Sequence, residues 1–403
     1  MSADVLIVGG GTIGLSCAWR AATAGLQVTV VDPRPATGAS SVAAGMLAPV
    51  TEVVYGEEDR LAFNIAAARR WPAFVEQLHE ATGHDVGYRT TGTLLVGAHP
   101  DDATALADLH AFHTELGLEV AWLRSQEARA REPMLSPRVR VGLHAAEDHR
   151  VEPRAVLAAL LAACETAGVE LDHDRVERIE HDGGRVTGAA TSDGRRLTAG
   201  EVVLAAGAWS ATIDGLPDVV RPPVRPLKGQ VLHLADPGGE PVLTTTVRGL
   251  VDHRSIYLLP RDDGRLVVGS SQEERGFDTT VTAGATRELL DDAARIVPGV
   301  DELELSEAVA GLRPTTPDNA PAIGRHHLDN LLVATGHHRN GVLLTPITAE
   351  TVTALLTGEQ PDPLVEVVAP DRPALAVRPD RRGQARPGLD ALIEANRTAG
   401  GPR

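Results

Sequence analysis

Lysine is almost absent from this 403-residue chain. One, Lys228, stands among 38 Lys and Arg residues. The imbalance is a composition bias toward arginine and carries no functional weight. Cysteine is nearly as scarce. Cys17 and Cys164 fit neither a metal spacing nor a disulfide framework. Both lie in apolar, helix-like stretches, which points to buried thiols in a reducing compartment. Positive charge is outnumbered, with a net charge of −17, and a general nucleic-acid binder needs clustered cations to meet phosphates. No apolar run reaches the ~18 residues of a membrane-spanning helix. The N-terminal "MSADVLIVGGG" has no basic residue before its apolar run, and three glycines interrupt that run. It therefore reads as mature structure rather than a signal peptide, and a cytoplasmic protein is expected.

What remains is an ordinary globular composition, 43% hydrophobic and 23% charged. The length exceeds a single core of roughly 100–200 residues, so two intertwined domains are expected. "DVLIVGGGTIGLSCAWRAATAGLQVTVVD" reads as strand, glycine turn, helix, strand, and the continuous apolar run Val5 to Val8 suits a strand buried on both faces. A helix should follow over "EEDRLAFNIAAARRWPAFVEQLHEATG", interrupted or kinked at Pro72. Further helices are expected at "DDATALADLHAFHTELG" and "VEPRAVLAALLAACETAG", the latter with Pro153 in its first turn. Hairpins are expected at "RVERIEHDGGRVTGAAT" and "SIYLLPRDDGRLVVGSS". "EVVLAAGAWS" reads as a buried strand ending in a glycine turn, and "LLVATGHHRNGVLLTPITAETVTALLTG" as strand, loop, helix. Beyond about residue 366 the chain is rich in Pro and Arg. Loose order is expected there, with a short helix at "LDALIEANR". There is no internal repeat. Buried α/β elements at both ends with long antiparallel strands between them indicate an α/β nucleotide-binding domain carrying an inserted sheet-rich domain.

Gly9, Gly11 and Gly14 form G-x-G-x-x-G after a strand and at the start of a helix. The first permits a tight turn, the second lets the backbone approach a pyrophosphate, and the third lets helix pack on strand. The helix N-terminus offers N–H groups and partial positive charge to phosphate. Asp32 ends the second strand near the offset at which a carboxylate meets a ribose diol, and it would repel a 2′-phosphate. The pattern indicates a dinucleotide without separating NAD from FAD. "TGASSVAAGML" then places two hydroxyls, Ser40 and Ser41, just past the second strand. A flavin, which must be embedded in protein, has more use for such a segment than a nicotinamide cofactor.

The stretch "GHHRNG" at 336–341 packs His337, His338 and Arg339 between two apolar elements. Adjacent histidines on one loop rarely converge on one ion, and no nearby Cys or third His completes a site. No metal is expected.

In order from residue 4 to about residue 357 stand "VLIVGGGTIG", "SSVAAGML", "VEPRA", "VVLAAGAWS", "PLKGQVL", "YLLPRDDGRLVVGS", "GLRPTTPDNAPAIGRH" and "GHHRNGVLLTP". With these the chain resembles the flavin-dependent amine oxidases of the D-amino-acid oxidase superfamily, and most closely the glycine oxidases of the thiamine-biosynthesis type. The resemblance implies an FAD-binding Rossmann-like domain at 1–86, 149–217 and 305–365. An inserted antiparallel-sheet substrate domain would occupy 87–148 and 218–304, and a tail 366–403. It implies non-covalent FAD held at Gly9, Gly11, Thr12, Ile13, Gly14, Asp32, Ser40, Ser41, Ala44, Gly45, Met46, Val176 and Gly207, and at His337, His338, Arg339, Asn340, Gly341, Val342 and Leu343. It places Tyr257, Arg313 and Arg339 at the substrate. The residue types agree with that, since a guanidinium fork binds an α-carboxylate bidentately. The implied activity is oxidation of glycine or a small amine or D-amino acid to an oxo acid and ammonia, with O2 as acceptor and hydrogen peroxide as product. A homotetramer is also implied. Gln272 departs from the family pattern, in which an apolar side chain is common at that position. A broader D-amino-acid oxidase, a sarcosine oxidase or a dehydrogenase with another electron acceptor are the competing expectations.

Overall fold

The computed structural model describes residues 3–375. Two large sheets organise it. The first is parallel at its centre, in the order Leu331–Thr335, Arg196–Leu204, Ala3–Val8, Val28–Val31, Glu170–Asp172. Ala322–Arg325 adds an antiparallel edge beside Leu331–Thr335. The N-terminal half of Arg196–Leu204 also pairs with the expected hairpin, Val176–Asp182 and Arg185–Thr191. Val5 to Val8 are all buried: Val5 and Ile7 share a core with helices Thr12–Thr23, Leu61–Thr82, Pro153–Thr166 and Thr345–Thr357, and Leu6 and Val8 lie in a second core with the hairpin strands Val176–Asp182 and Arg185–Thr191. A parallel sheet covered in this way hides its apolar strands from water on both faces.

The second sheet runs Glu304–Thr315, Arg225–Ala235, Arg265–Gly269, Arg254–Pro260, Thr246–Val251, Thr93–Gly97, Val141–Ala145, Ala121–Arg124. It is antiparallel except where Thr246–Val251 meets Thr93–Gly97. That parallel contact joins two stretches of chain far apart in sequence. Helix Ala283–Ile296 covers part of one face. The expected hairpin at Asp263-Gly264 is present, as Arg254–Pro260 and Arg265–Gly269 pair in register.

Three expectations need correction. Leu61–Thr82 runs through Pro72 as one helix. Pro72 is exposed, while Phe63, Ala67, Trp71, Phe74 and Leu78 lie in the core. Burying those side chains outweighs the ~3 kcal/mol cost of an internal proline. The division at 304/305 cuts off the head of a strand that pairs with Arg225–Ala235 along its length, so residues 305–315 belong to the second sheet. The tail begins later than 366. Val368 is buried, and the Arg372 guanidinium makes two bonds to the Asp318 carboxylate, at 2.8 and 2.9 Å. The helix expected at 389–397 lies outside the described residues.

Candidate active site

A cavity of about 1460 Å³ lies between the two sheets. One end is built by the first strand–turn–helix unit. Gly9 has φ +111°, and a Cβ there would come within 2.5 Å of Ala205 O. A Cβ on Gly14 would lie 1.8 Å from Gly9 O. Gly14 therefore closes the helix onto the turn and does not itself face the cavity. Ser40 Oγ accepts the Thr12 N–H at 3.1 Å, which ties the second loop to the helix N-terminus. Asp32 accepts the Gly10 N–H at 2.6 Å and the Arg34 N–H at 2.8 Å. A carboxylate has about four acceptor positions, so two remain for a diol at the cavity rim. The helices Thr12–Thr23 and Thr345–Thr357 meet at their first residues, where Thr12 Oγ1 and Thr345 Oγ1 are 3.3 Å apart.

The far end rests on the second sheet. Tyr257 stands cross-strand from Gly269, and its ring lies over that glycine. The Arg313 guanidinium lies over Gly229, bonded to Ser270 Oγ and, at 3.2 Å, to Ser271 O. Two glycines on adjacent strands thus leave room for the two polar side chains. Burial pushes the Tyr257 hydroxyl pKa up, with the Arg313 charge and the Ser270 hydrogen bond opposing it. The tyrosine is therefore a neutral donor at ordinary pH. No carboxylate pairs with Arg313 among the described residues.

Arg339 lines the cavity with its charge already engaged by carboxylates. Its guanidinium is bonded to Glu57, to Glu52 O at 3.2 Å, and lies 3.7 Å from the Glu52 carboxylate. It lines the cavity as the centre of an ion network rather than as a free anion receptor. Arg248 pairs with Glu52 at 3.6 Å and donates to Thr51 O, and Arg60 lies 3.4 Å from Glu57. Glu52, Glu57, Arg60 and Arg248 carried no motif, so the residue pattern did not mark them. Gln272 also faces the cavity.

Most other expected residues converge. Ile13, Ala44, Gly45, Met46, Val176, Gly207, Gly341 and Val342 line the same cavity with Gly9, Gly11, Thr12, Asp32 and Ser40. Four stand off its wall. Gly14 serves helix packing. Ser41 donates to Gly38 O at 3.0 Å. Asn340 closes a one-turn 3-10 helix, His338–Asn340, by donating to His337 O. Leu343 is buried, and its carbonyl accepts the Trp71 indole N–H at 3.0 Å.

Both histidines line the cavity and are held neutral. His337 is buried with Nε2 3.1 Å from Thr348 Oγ1, and burial lowers its pKa to about 3. His338 Nδ1 is 3.0 Å from Thr315 Oγ1. Burial first, then the charges of Arg339 and Arg313, hold it well below the usual imidazole range. For His337 the folded pKa lies below the unfolded one. Its stabilising contribution is complete above pH ~6.5 and declines as pH falls toward 3. Between pH 7.5 and 5.0, wild type should lose about 2 kcal/mol more stability than His337→Asn. Denaturant titrations at the two pH values measure this, and equal losses would refute it. Among the described residues no group of three or more His, Cys, Asp or Glu side chains could hold a metal, and no helix is long and apolar enough to cross a membrane.

Comparison with known proteins agrees with this geometry. Residues 4–355 match the family described as DAO, FAD dependent oxidoreductase. The bifunctional protein ThiO/ThiG of Synechocystis sp. is 34% identical over 388 residues, covering 94% of this chain and 56% of that protein. The chain spans about half the length of such bifunctional relatives. A glycine oxidase of Geobacillus kaustophilus is 33% identical, over 88% of this chain and 92% of its own. The crystal structure of glycine oxidase from that organism superposes with a TM-score of 0.84 at 31% identity, covering 91% of this chain and 98% of the other. The FAD expected from the resemblance suits the cavity: it is large, a glycine turn and helix N-terminus form one end, and the walls carry backbone cleared by glycine. The chain belongs to the DAO family of FAD-dependent oxidoreductases.

Proposed function

We propose that the chain oxidises glycine or a similarly small amine or D-amino acid at its α-carbon. The resulting imine hydrolyses to the oxo acid and ammonia, and O2 is the final acceptor, reduced to hydrogen peroxide. One observation carries this reading: Arg313, free of any carboxylate partner among the described residues, stands with Tyr257 in the same cavity as the dinucleotide-type glycine turn. The glycine oxidase and ThiO/ThiG relatives support it. They also support a role in supplying the thiazole of thiamine.

In this reading the glycine turn, Thr12, Ser40, Asp32, Val176, Gly207 and the 337–342 segment hold FAD, which when bound accepts the electron pair leaving the α-carbon. Arg313 forks onto the substrate carboxylate, and Tyr257 donates its hydroxyl to the same anion. With the carboxylate fixed, the orientation of the Cα–H bond follows. The amine binds neutral, so no strong base is required. Arg339 stands on the wall of the same cavity, tied to Glu52 and Glu57. A homotetramer and a cytoplasmic location belong to the same proposal, the first open to sedimentation.

Peroxide release from purified protein supplied with glycine, sarcosine, D-alanine and D-proline in parallel tests the substrate class. Glycine or sarcosine should give the highest kcat/KM. Turnover of D-proline with none of glycine would move the assignment to a broader D-amino-acid oxidase. Flavin bleaching under anaerobic amine without peroxide in air would make the protein a dehydrogenase.

A further inference from the structure

Asp148 lies outside every motif noted above. It sits in the turn between strands Val141–Ala145 and His149–Arg150 and has no exposure to solvent. Its carboxylate accepts three hydrogen bonds from one short stretch of chain almost a hundred residues earlier. Val50 N–H donates to Oδ1 at 3.0 Å, Thr51 N–H to Oδ2 at 3.0 Å, and Thr51 Oγ1 to Oδ2 at 2.5 Å. Burial pushes the carboxyl pKa up to about 6, and these donors pull against it, with the Arg248 charge helping. A buried carboxylate is costly to keep. An apolar side chain would serve as core filling, so this group should be specifying a backbone position.

The position it specifies carries the ion network of the cavity wall. Thr51 O accepts from Arg248, whose guanidinium also faces Glu52. Glu52 O accepts from Arg339, and Glu57, five residues on, takes the same guanidinium. Arg248 is moreover the cross-strand partner of Tyr257. A shift of the Thr51 backbone would therefore reach the substrate end of the cavity through two arginines at once. Neither FAD-facing glycine turn nor second loop is part of this chain of contacts.

We propose that Asp148 is a positioning residue: by clamping the Val50–Thr51 backbone it sets the place of the Glu52–Arg248–Arg339 network, and so the affinity of the substrate end for a carboxylate. This rests on the oxidase reading for the identity of the substrate, but the clamp can be tested separately. Asp148→Asn keeps size and one acceptor but sets an NH2 against a donor. Thr51→Val removes one donor at constant shape, and Thr51→Ser restores it.

In the FAD-loaded enzyme, both Asp148→Asn and Thr51→Val should raise KM for glycine about tenfold, read as a displaced substrate end rather than a lost substrate contact. kcat and FAD content should stay near wild type, while Tm falls by a few degrees, as the loss of one buried hydrogen bond requires. Thr51→Ser should return KM to the wild-type value. Acetate, a carboxylate that cannot be oxidised at an amine-bearing carbon, is the second probe. Its Kd, read from the flavin absorbance change, should rise in parallel with KM. A lower Tm or FAD content with unchanged acetate Kd would show that Asp148 only holds the fold, and would overturn the proposal. If Asp148→Asn does not fold, the Thr51 pair decides alone. If wild type oxidises no amine, the reaction assignment fails, while the acetate Kd values still judge the clamp.

Discussion

Arg313→Ala should lower kcat/KM for a small amino acid by about 10²–10³-fold, the scale of losing a charge-assisted, bidentate contact of some 3–4 kcal/mol. FAD content should be unchanged, because Arg313 belongs to the second sheet and the glycine turn to the first. The guanidinium is held by Ser270 Oγ and Ser271 O, neutral acceptors that orient it without neutralising it. Its charge is thus left for an anion. Arg313→Lys should recover only part of the loss, since an ammonium is a point charge and cannot fork onto both oxygens. Gly229→Ala supplies an independent check. Its new Cβ would collide with the Arg313 guanidinium, so it should impair substrate binding without removing any charge. Steady-state peroxide assays measure all three, and normal amino-acid kinetics in Arg313→Ala would refute the carboxylate fork.

Gly14→Ala should abolish FAD retention and destabilise the protein by several kcal/mol, the mark of severe overpacking. The added Cβ would lie 1.8 Å from Gly9 O, a separation no non-bonded pair tolerates. The partner is backbone in a turn packed closely against Ala205, so neither side can yield. The helix must tilt away from its strand, and the anion-binding N-terminus moves with it. Gly11→Ala makes the contrast. Its Cβ would meet only Ser40 Oγ, at 3.2 Å, a side chain that can rotate. That variant should fold and bind FAD more weakly. The flavin-to-protein absorbance ratio together with Tm separates the two. Equal behaviour of the two variants would contradict the assignment of Gly14 to packing and Gly11 to the cofactor approach.

The residue pattern carried the strand–turn–helix unit, the two hairpins, the turn of the last strand into its helix, and the family. Each of these is written in local rules: where glycine clears a contact, where apolar residues alternate or run on, where proline starts a helix. Such rules act over a few residues and survive any tertiary context that does not fight them. Pro72 shows the limit, since its local penalty was real and the packing of Trp71 and Phe74 overrode it. The order of strands in the second sheet was not legible either, because Thr93–Gly97 joins Thr246–Val251 across about 150 residues of intervening chain, and nothing local records that choice.

Arg339 divides the two kinds of information most clearly. Its sequence neighbours assigned it to the wall of the cavity, and it is there. That it also pairs with protein carboxylates was decided by Glu52 and Glu57, which lie on a segment 282 residues away in the case of Glu57. That segment is held in turn by Asp148. The sequence by itself determined which backbone bends, which faces are buried and which cofactor class fits. Only the tertiary structure decided which charges neutralise one another. A backbone turn is set by sterics within its own few residues, whereas an ion pair depends on which distant surfaces packing brings within a few ångströms.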